Sequence, residues 1–88
     1  DYIIKGDTPH WRPTRVFDDG SKVFIEFPEG LAVSEAPPLF VTDDKGSVSK
    51  LVNYRVRDGY YVVDRLFDAA ELRLGEKKQT VVRIERAS

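Results

Sequence analysis

His10 is the one histidine in the chain, so any histidine-based chemistry would have to use it. It lies between Pro9 and Trp11, and the serines that could act with it as nucleophiles fall in predicted turns, loops or at the C-terminal end. A nucleophile–histidine–carboxylate arrangement therefore has no convincing members. The chain has no cysteine, so a zinc site would have one histidine to build on. We predict that the chain is not an enzyme and that His10 is an exposed loop residue.

Paired carboxylates are the remaining candidates for metal binding or acid–base chemistry. The pairs Asp18–Asp19 and Asp43–Asp44 both stand in predicted turns, where aspartate has a structural role. No other acidic residue has the spacing of a calcium loop with Asp18–Asp19. Asp64 differs because it lies among valines, where it either pairs across a hairpin with an arginine such as Arg55 or faces solvent. We predict no metal site and no cofactor.

One stretch of chain combines aromatic and basic residues in a way that could stack bases and contact phosphates: Tyr54, Arg55, Arg57, Tyr60, Tyr61 and Arg65. Acidic residues are interleaved throughout the chain and the net charge is −1, which gives no general attraction to nucleic acid. Adjacent Tyr60 and Tyr61 point to opposite faces of a strand, so at most one of them joins a given platform. A small β-barrel that binds single-stranded nucleic acid is kept as the alternative to protein binding.

The stretch Lys50–Phe67, which carries all of these residues, is predicted to form two strands. Val52, Tyr54 and Val56 alternate with polar residues, which is the period of a half-buried strand. The second strand is apolar on both faces at its start, which favours a position inside a sheet. Between them, Asp58–Gly59 supplies the positive φ that a tight hairpin needs.

The rest of the chain repeats this pattern of short apolar runs separated by turn signals such as Asp18–Gly20. With no long helix, it is typical of an antiparallel sandwich or barrel. We predict an all-β fold, an antiparallel β-sandwich of about seven to nine short strands, in a single domain over residues 1–88. Asp68–Glu71 has helix-compatible residues with Asp68 as an N-cap, which predicts one short helical turn packed on the sheet.

A free sheet edge is the feature most able to bind another protein, because it accepts an added strand through main-chain hydrogen bonds. Tyr2–Ile4 is the best candidate edge, since it is short, apolar on both faces and followed by a single charged residue, Lys5. Trp11, between two prolines, is predicted to cap one end of the core rather than to stack on a ligand.

The size and composition of the chain place limits on its class. A domain of 88 residues buries about 60–65% of its unfolded surface, so partners can add appreciably to its stability. No apolar run approaches the roughly 18 residues that a membrane span requires. The chain has no methionine and no signal peptide, so we expect it to be a fragment of a longer protein.

A set of stretches in order covers nearly the whole chain: Tyr2–Gly6, Trp11–Pro13, Val16–Gly20, Lys22–Phe27, Pro38–Val41, Leu51–Val56, Tyr61–Phe67 and Ala70–Gly75. Together they resemble the C-terminal domain of the TrbG/CagX-like family, the outer-membrane core-complex proteins of type IV secretion and conjugal transfer systems. The resemblance is greater to the conjugative branch than to the effector-secreting branches.

The resemblance implies a β-sandwich without enzymatic activity, located in the periplasm in association with the outer membrane. It implies two partners, a short outer-membrane lipoprotein and an inner-membrane-anchored channel protein, and a homo-oligomeric ring in the full assembly, with the isolated domain a monomer. Some relatives join the lipoprotein by a disulfide, whereas the contact of this cysteine-free chain must be non-covalent. The lipoprotein site carries over to the first strand, Tyr2, Ile3, Ile4 and Lys5, with Trp11 and Arg12 beside it.

Overall fold

Nine strands and the turns between them make up the part of the chain that the computed structural model describes, residues 1–31, 36–42, 49–75 and 77–87. The strands are β1 (Tyr2–Gly6), β2 (Arg15–Asp18), β3 (Val23–Glu26), β4 (Leu39–Thr42), β5 (Ser49–Leu51), β6 (Tyr54–Arg57), β7 (Tyr60–Val63), β8 (Ala69–Leu74) and β9 (Thr80–Arg86). No helix occurs among these residues, which confirms the predicted all-β class. The predicted turn at Asp43–Asp44 lies outside the described residues.

The strands form two antiparallel sheets, in the order β1-β9-β8-β4-β5 and β2-β3-β7-β6. Inward-facing residues of both sheets make one hydrophobic cluster, with Ile25 and Val63 from one sheet against Leu39, Leu72 and Ile84 from the other. The predicted antiparallel β-sandwich is confirmed. Its four edge strands are β1 and β5 in the larger sheet and β2 and β6 in the smaller.

The two predicted Asp-Gly turns are present and their geometry explains the sequence. Asp58 and Gly59 have φ values of 49° and 85°, and they join β6 to β7 as a two-residue loop in which Arg57 pairs with Tyr60. Positive φ at both central positions is the type I′ arrangement that matches the strand twist. In the β2–β3 turn, Asp19 Oδ1 accepts hydrogen bonds from the amides of Ser21 (2.9 Å) and Lys22 (2.8 Å). These bonds hold the pKa of Asp19 below its ordinary value.

Two sequence-based predictions about local structure are wrong. Asp68–Glu71 does not form a helical turn, because Ala69 to Glu71 belong to β8, a central strand bonded to β9 on one side and β4 on the other. Pairing on both sides outweighs the helix propensity of a short alanine-rich run. The strand predicted through Val52 is also interrupted, since the chain leaves the larger sheet after Leu51 and joins the smaller one at Tyr54.

A continuous row of ion pairs, called here the charge ladder, crosses the outer face of the larger sheet from β1 to β8. The pairs are Lys5–Glu85 (2.8 Å), Glu85–Arg83 (2.6 Å), Arg83–Glu71 (2.8 Å) and Glu71–Arg73 (2.7 Å). Its inner members are largely covered, and Arg73 continues onto the ring of Phe40 in β4 at 4.8 Å. Lys5 and Arg83 hold the pKa of Glu85 below its ordinary value. Glu71 and Arg83 lie directly opposite each other, and this cross-strand pair of opposite charge favours the register of β8 on β9.

The first and last described residues lie side by side. The amide of Ala87 donates to the carbonyl of Asp1 at 2.7 Å, which extends the β1–β9 ladder by one bond. The two ends of the described chain therefore emerge from neighbouring strands at the same end of one sheet.

Candidate functional site

The edge strand β1 brings together the residues that sequence reasoning selected for partner binding. It pairs with β9 on one side, with Ile4 opposite Ile84, and none of the described strands lies beyond it in the larger sheet. Hydrogen-bonded and non-bonded pairs alternate along an antiparallel ladder. Asp1 and Asp7, on either side of the strand, are both bonded to β9 or the residue that follows it, and the amide of Asp7 donates to Val81 O at 3.0 Å. The main-chain groups at the odd-numbered positions of β1 therefore face β9. The main-chain groups that point to the free edge are therefore those of Tyr2, Ile4 and Gly6.

The side chains of β1 alternate between the two faces of the sheet. Ile3 and Lys5 lie on the outer face, and Ile3 is 45% exposed, one of the few large apolar side chains so open to solvent. Tyr2 and Ile4 are half-buried and pack against the core. The edge therefore presents an apolar side chain on the face that a partner could reach without opening the sandwich.

Arg12 covers part of this free edge. Its guanidinium donates to the carbonyl of Ile4 at 2.8 Å, to that of Asp7 at 3.2 Å and to that of Gly6 at 3.5 Å. The carbonyls of Ile4 and Gly6 are groups to which an added strand would donate, whereas Asp7 lies beyond the end of β1. The structure thus places Arg12 beside β1, as the sequence proximity suggested, but as a cap on the strand, which the sequence did not predict.

Trp11 is 2% exposed and belongs to the core cluster, which confirms its prediction as a core residue. The turn that contains it is closed by the amide of Arg12, which donates to Pro9 O at 3.0 Å. Burying the indole fixes the backbone from which Arg12 reaches β1. A part for Trp11 in partner binding stays a prediction, and such a part would be to hold Arg12 in place.

Tyr2 ties β1 to the other sheet. Its hydroxyl donates to Asp18 Oδ2 at 2.8 Å, and its ring meets Phe67 edge-on with centroids 5.9 Å apart. Burial, together with the bond to the Asp18 carboxylate, raises the pKa of Tyr2 to about 12. The same bond, with one from the amide of Gly20, lowers the pKa of Asp18. One phenol therefore links the edge strand to the β2–β3 turn.

This linkage predicts an alkaline loss of stability that depends on Tyr2. The folded-state pKa is raised above the ordinary value near 10, so the contribution is fully present below about pH 10 and is lost as the pH rises through about 12. We expect the urea midpoint of the native domain to fall between about pH 9 and about pH 11.5, and to fall less in Tyr2→Phe. Burial also raises the pKa of Tyr61, so part of the fall should remain. Identical falls in the two proteins would contradict this assignment.

The residues considered for catalysis do not converge. His10 is exposed in the turn before Trp11, as predicted. Asp64 pairs with Arg55 at 2.9 Å with both side chains about half exposed, so the predicted cross-strand pair is confirmed. No cluster of three or more potential metal ligands occurs within the described ranges. In the same part of the chain, no helix is long and apolar enough to cross a membrane.

The three tyrosines of the β6–β7 hairpin do not share a surface. Tyr61 is 2% exposed, stacks on Tyr54 at 4.2 Å and donates to Pro37 O at 2.6 Å. Tyr60 points the other way, as predicted, and lies near Phe17 and Phe24, which stack on each other at 5.2 Å. Sequence reasoning missed this aromatic group on the outer face of the smaller sheet, although the period of two in β2 and β3 places Phe17 opposite Phe24.

Comparison with known proteins identifies a family and a relative that match most of the chain. The family CagX, described as conjugal transfer protein, matches residues 1–87. "Probable conjugal transfer protein TrbG" of Sinorhizobium fredii (strain NBRC 101917 / NGR234) is 37% identical over 71 residues, which is 81% of this chain and 25% of that protein. The matched region thus spans about a quarter of the length of that relative.

Proposed function

The chain belongs to the CagX family of conjugal transfer proteins, and we propose that it is a non-catalytic assembly domain of a conjugative type IV secretion core complex. In this proposal the domain lies in the periplasm at the outer membrane. It binds a segment of a short outer-membrane lipoprotein without a covalent bond, and it contacts an inner-membrane-anchored channel protein. Ring formation belongs to the full assembly, and the isolated domain is a monomer.

The observation that carries the proposal is the free edge of β1. Tyr2, Ile4 and Gly6 direct their main-chain groups away from β9, and the edge lies beside the exposed side chain of Ile3. An extended segment that pairs here would continue the larger sheet and would bury Ile3. Main-chain pairing needs no disulfide, which agrees with a chain that has no cysteine.

A strand that binds at β1 must replace the hydrogen bonds that Arg12 already donates to this edge. The carbonyl of Ile4 already accepts from the guanidinium at 2.8 Å, so an incoming amide replaces one donor by another. The net gain per exchanged bond is small, because a hydrogen bond is lost for each one formed. Apolar contact with Ile3 and Ile4 then supplies most of the affinity, and we expect binding to be sensitive to a charge placed there.

Ile3→Lys is the sharpest test of this site. Ile3 is opposite Glu85 across the β1–β9 ladder, so a lysine meets an opposite charge and the free energy of unfolding should change by less than about 1 kcal/mol. A lysine on an edge strand opposes strand addition. We expect the affinity for a synthetic peptide from the short outer-membrane lipoprotein to fall about tenfold or more in Ile3→Lys, which corresponds to about 1.4 kcal/mol. The measurement is a backbone-amide NMR titration.

Val56→Lys is the matched control, because Val56 is another exposed apolar residue, on the edge strand β6 of the other sheet. It should leave lipoprotein binding unchanged. In the native domain, the bound peptide should protect the amides of Tyr2 and Ile4 from solvent exchange. A peptide that shifts signals only elsewhere, or binds Ile3→Lys as tightly as the native domain, would remove β1 as the site.

A further inference from the structure

We propose that the free edge of β6 is a second strand-addition site, selective for an extended segment in which an apolar residue is flanked by acidic ones. This goes beyond the function proposed above, because β6 ends the smaller sheet and β1 ends the larger one. The two edges share no residue, so either site can fail without the other.

The main chain of β6 is open to pairing. Arg57 pairs with Tyr60 across the two-residue turn and Arg55 pairs with Val62, and in such a hairpin these are the hydrogen-bonded positions. The amides and carbonyls of Tyr54 and Val56 therefore point away from β7. No described residue outside β7 forms a hydrogen bond with the main chain of Val56. An incoming strand would find these groups available, whereas at β1 it must displace Arg12.

The inward face of β6 fits an apolar side chain. Val56 is 56% exposed although it lies on the same face as the buried ring of Tyr61. Beside it is a recess of about 460 Å³ whose apolar walls include Phe27, Leu31 and Ala36. A residue that pairs directly with Val56 would project its side chain to the same face, over this recess. Burying Val56 and the walls would supply apolar contact.

The outward face of β6 carries positive charge. Arg55 is paired with Asp64 at 2.9 Å, whereas Arg57 forms no ion pair with any described residue. Residues on either side of the one that meets Val56 would lie opposite Arg55 and Arg57. A carboxylate is favoured at these places and a cation is disfavoured. Because Val56 faces inward and Arg55 and Arg57 face outward, the best partner segment has an apolar residue between two acidic ones.

The same charges disfavour a second copy of this chain as the occupant. Two copies of β6 that pair antiparallel about Val56 would set Arg55 of each opposite Arg57 of the other, and pairing about Arg55 would set that arginine against itself. Like charges directly opposite one another destabilise a strand pair. The arginines therefore guard the edge against self-association while leaving it open to an acidic segment.

The test is a backbone-amide NMR titration of the domain with a short capped peptide that alternates glutamate and valine. A matched peptide carries lysine in place of glutamate. We expect the glutamate peptide to protect the amides of Tyr54 and Val56 and to shift the signals of Leu31 and Ala36. The lysine peptide should bind at least about twofold to fivefold more weakly, as one or two exposed charge pairs allow. Protection confined to Tyr2 and Ile4, or none at the highest soluble concentration, would overturn the proposal.

Two variants separate pairing from charge. Val56→Pro removes an amide that no other strand uses, and proline is tolerated on sheet edges, so the fold should persist while protection is lost. Val56→Ala keeps the amide, so peptide binding should still protect the main-chain amides of β6 from exchange. Arg57→Glu keeps the main chain intact and should reverse the preference, so that the lysine peptide binds more tightly than the glutamate peptide. An unchanged preference in Arg57→Glu would also overturn the proposal. Ile3→Lys should leave this binding unaffected.

Discussion

Replacing Tyr61 with alanine is expected to lower the free energy of unfolding by about 3–5 kcal/mol, as for other large aromatic residues removed from a core. The ring is 2% exposed, stacks on Tyr54 with centroids 4.2 Å apart, and packs against the tilted ring of Phe27 with centroids 4.6 Å apart. Its hydroxyl donates to the carbonyl of Pro37 at 2.6 Å. A domain of this size has a total stability of about 4–13 kcal/mol, so Tyr61→Ala is expected to remove a large share of that stability.

Urea unfolding followed by the fluorescence of Trp11, the single buried tryptophan, measures this loss. Tyr61→Phe isolates the hydroxyl bond and should cost about 1–2 kcal/mol, because the carbonyl of Pro37 is left without its donor. Tyr60→Ala is the matched control on the opposite face, where the ring is partly exposed and a smaller loss is expected. Equal losses at Tyr60 and Tyr61 would contradict the assigned orientation of β7.

Replacing Glu71 with alanine is the second large expected effect, a loss of about 2–3 kcal/mol. Glu71 contacts Arg83 at 2.8 Å and Arg73 at 2.7 Å in a largely covered part of the charge ladder. Exposed ion pairs contribute about 0–1 kcal/mol, and breaking a buried one costs about 3–5 kcal/mol. The intermediate burial of Glu71 places its removal between these limits. The loss should shrink in high salt, which screens the remaining repulsion between the two arginines.

A double substitution separates attraction from desolvation. Glu71→Leu combined with Arg83→Met replaces charges by apolar side chains of similar size, and we expect it to be clearly more stable than either single variant. Glu85→Ala is the control at a more exposed position of the same ladder, where a smaller loss is expected. If Glu71→Ala unfolds at the same urea concentration as the native domain, the ladder does not stabilise the fold.

The hairpins and the edge strand were predictable because their signals are local. Asp58–Gly59 can adopt two positive φ values at little steric cost, and few other pairs of residues can. The alternation of Val23 and Ile25 with polar or aromatic neighbours specified which face of β3 is buried. The position of Tyr2–Lys5 at an edge followed from a short apolar run at one end of a small sheet protein.

The errors have a common cause in contacts distant along the chain. Ala69–Glu71 is helix-compatible in isolation, and only pairing with β4 and β9 makes it a central strand. The period of two in Ala70, Leu72 and Leu74 was present in the sequence but competed with a local helix signal. Val52 continues the alternation of its neighbours, and nothing local records that the chain changes sheets there.

The cap on β1 was also beyond sequence reasoning. An arginine between Trp11 and Pro13 could have pointed to solvent, and its bonds to two carbonyls of β1 and to that of Asp7 depend on the turn that the buried indole anchors. A guanidinium with several donors can serve more than one carbonyl at a time. The closeness of Arg12 to β1 could thus be predicted from the sequence, but its hydrogen bonds to the carbonyls of the strand could not.

The adjacency of Asp1 and Ala87 determines how the domain responds to mechanical tension. A force that pulls these two residues apart acts perpendicular to β1 and β9 and loads their hydrogen bonds one after another, beginning with the Ala87–Asp1 bond of 2.7 Å. Bonds broken in sequence resist far less than bonds sheared together, because each carries the load alone. Tension in this direction would therefore peel β1 away at low force, and the contacts of Tyr2 with Asp18 and Phe67 would be the first side-chain contacts with the other parts of the fold to be lost.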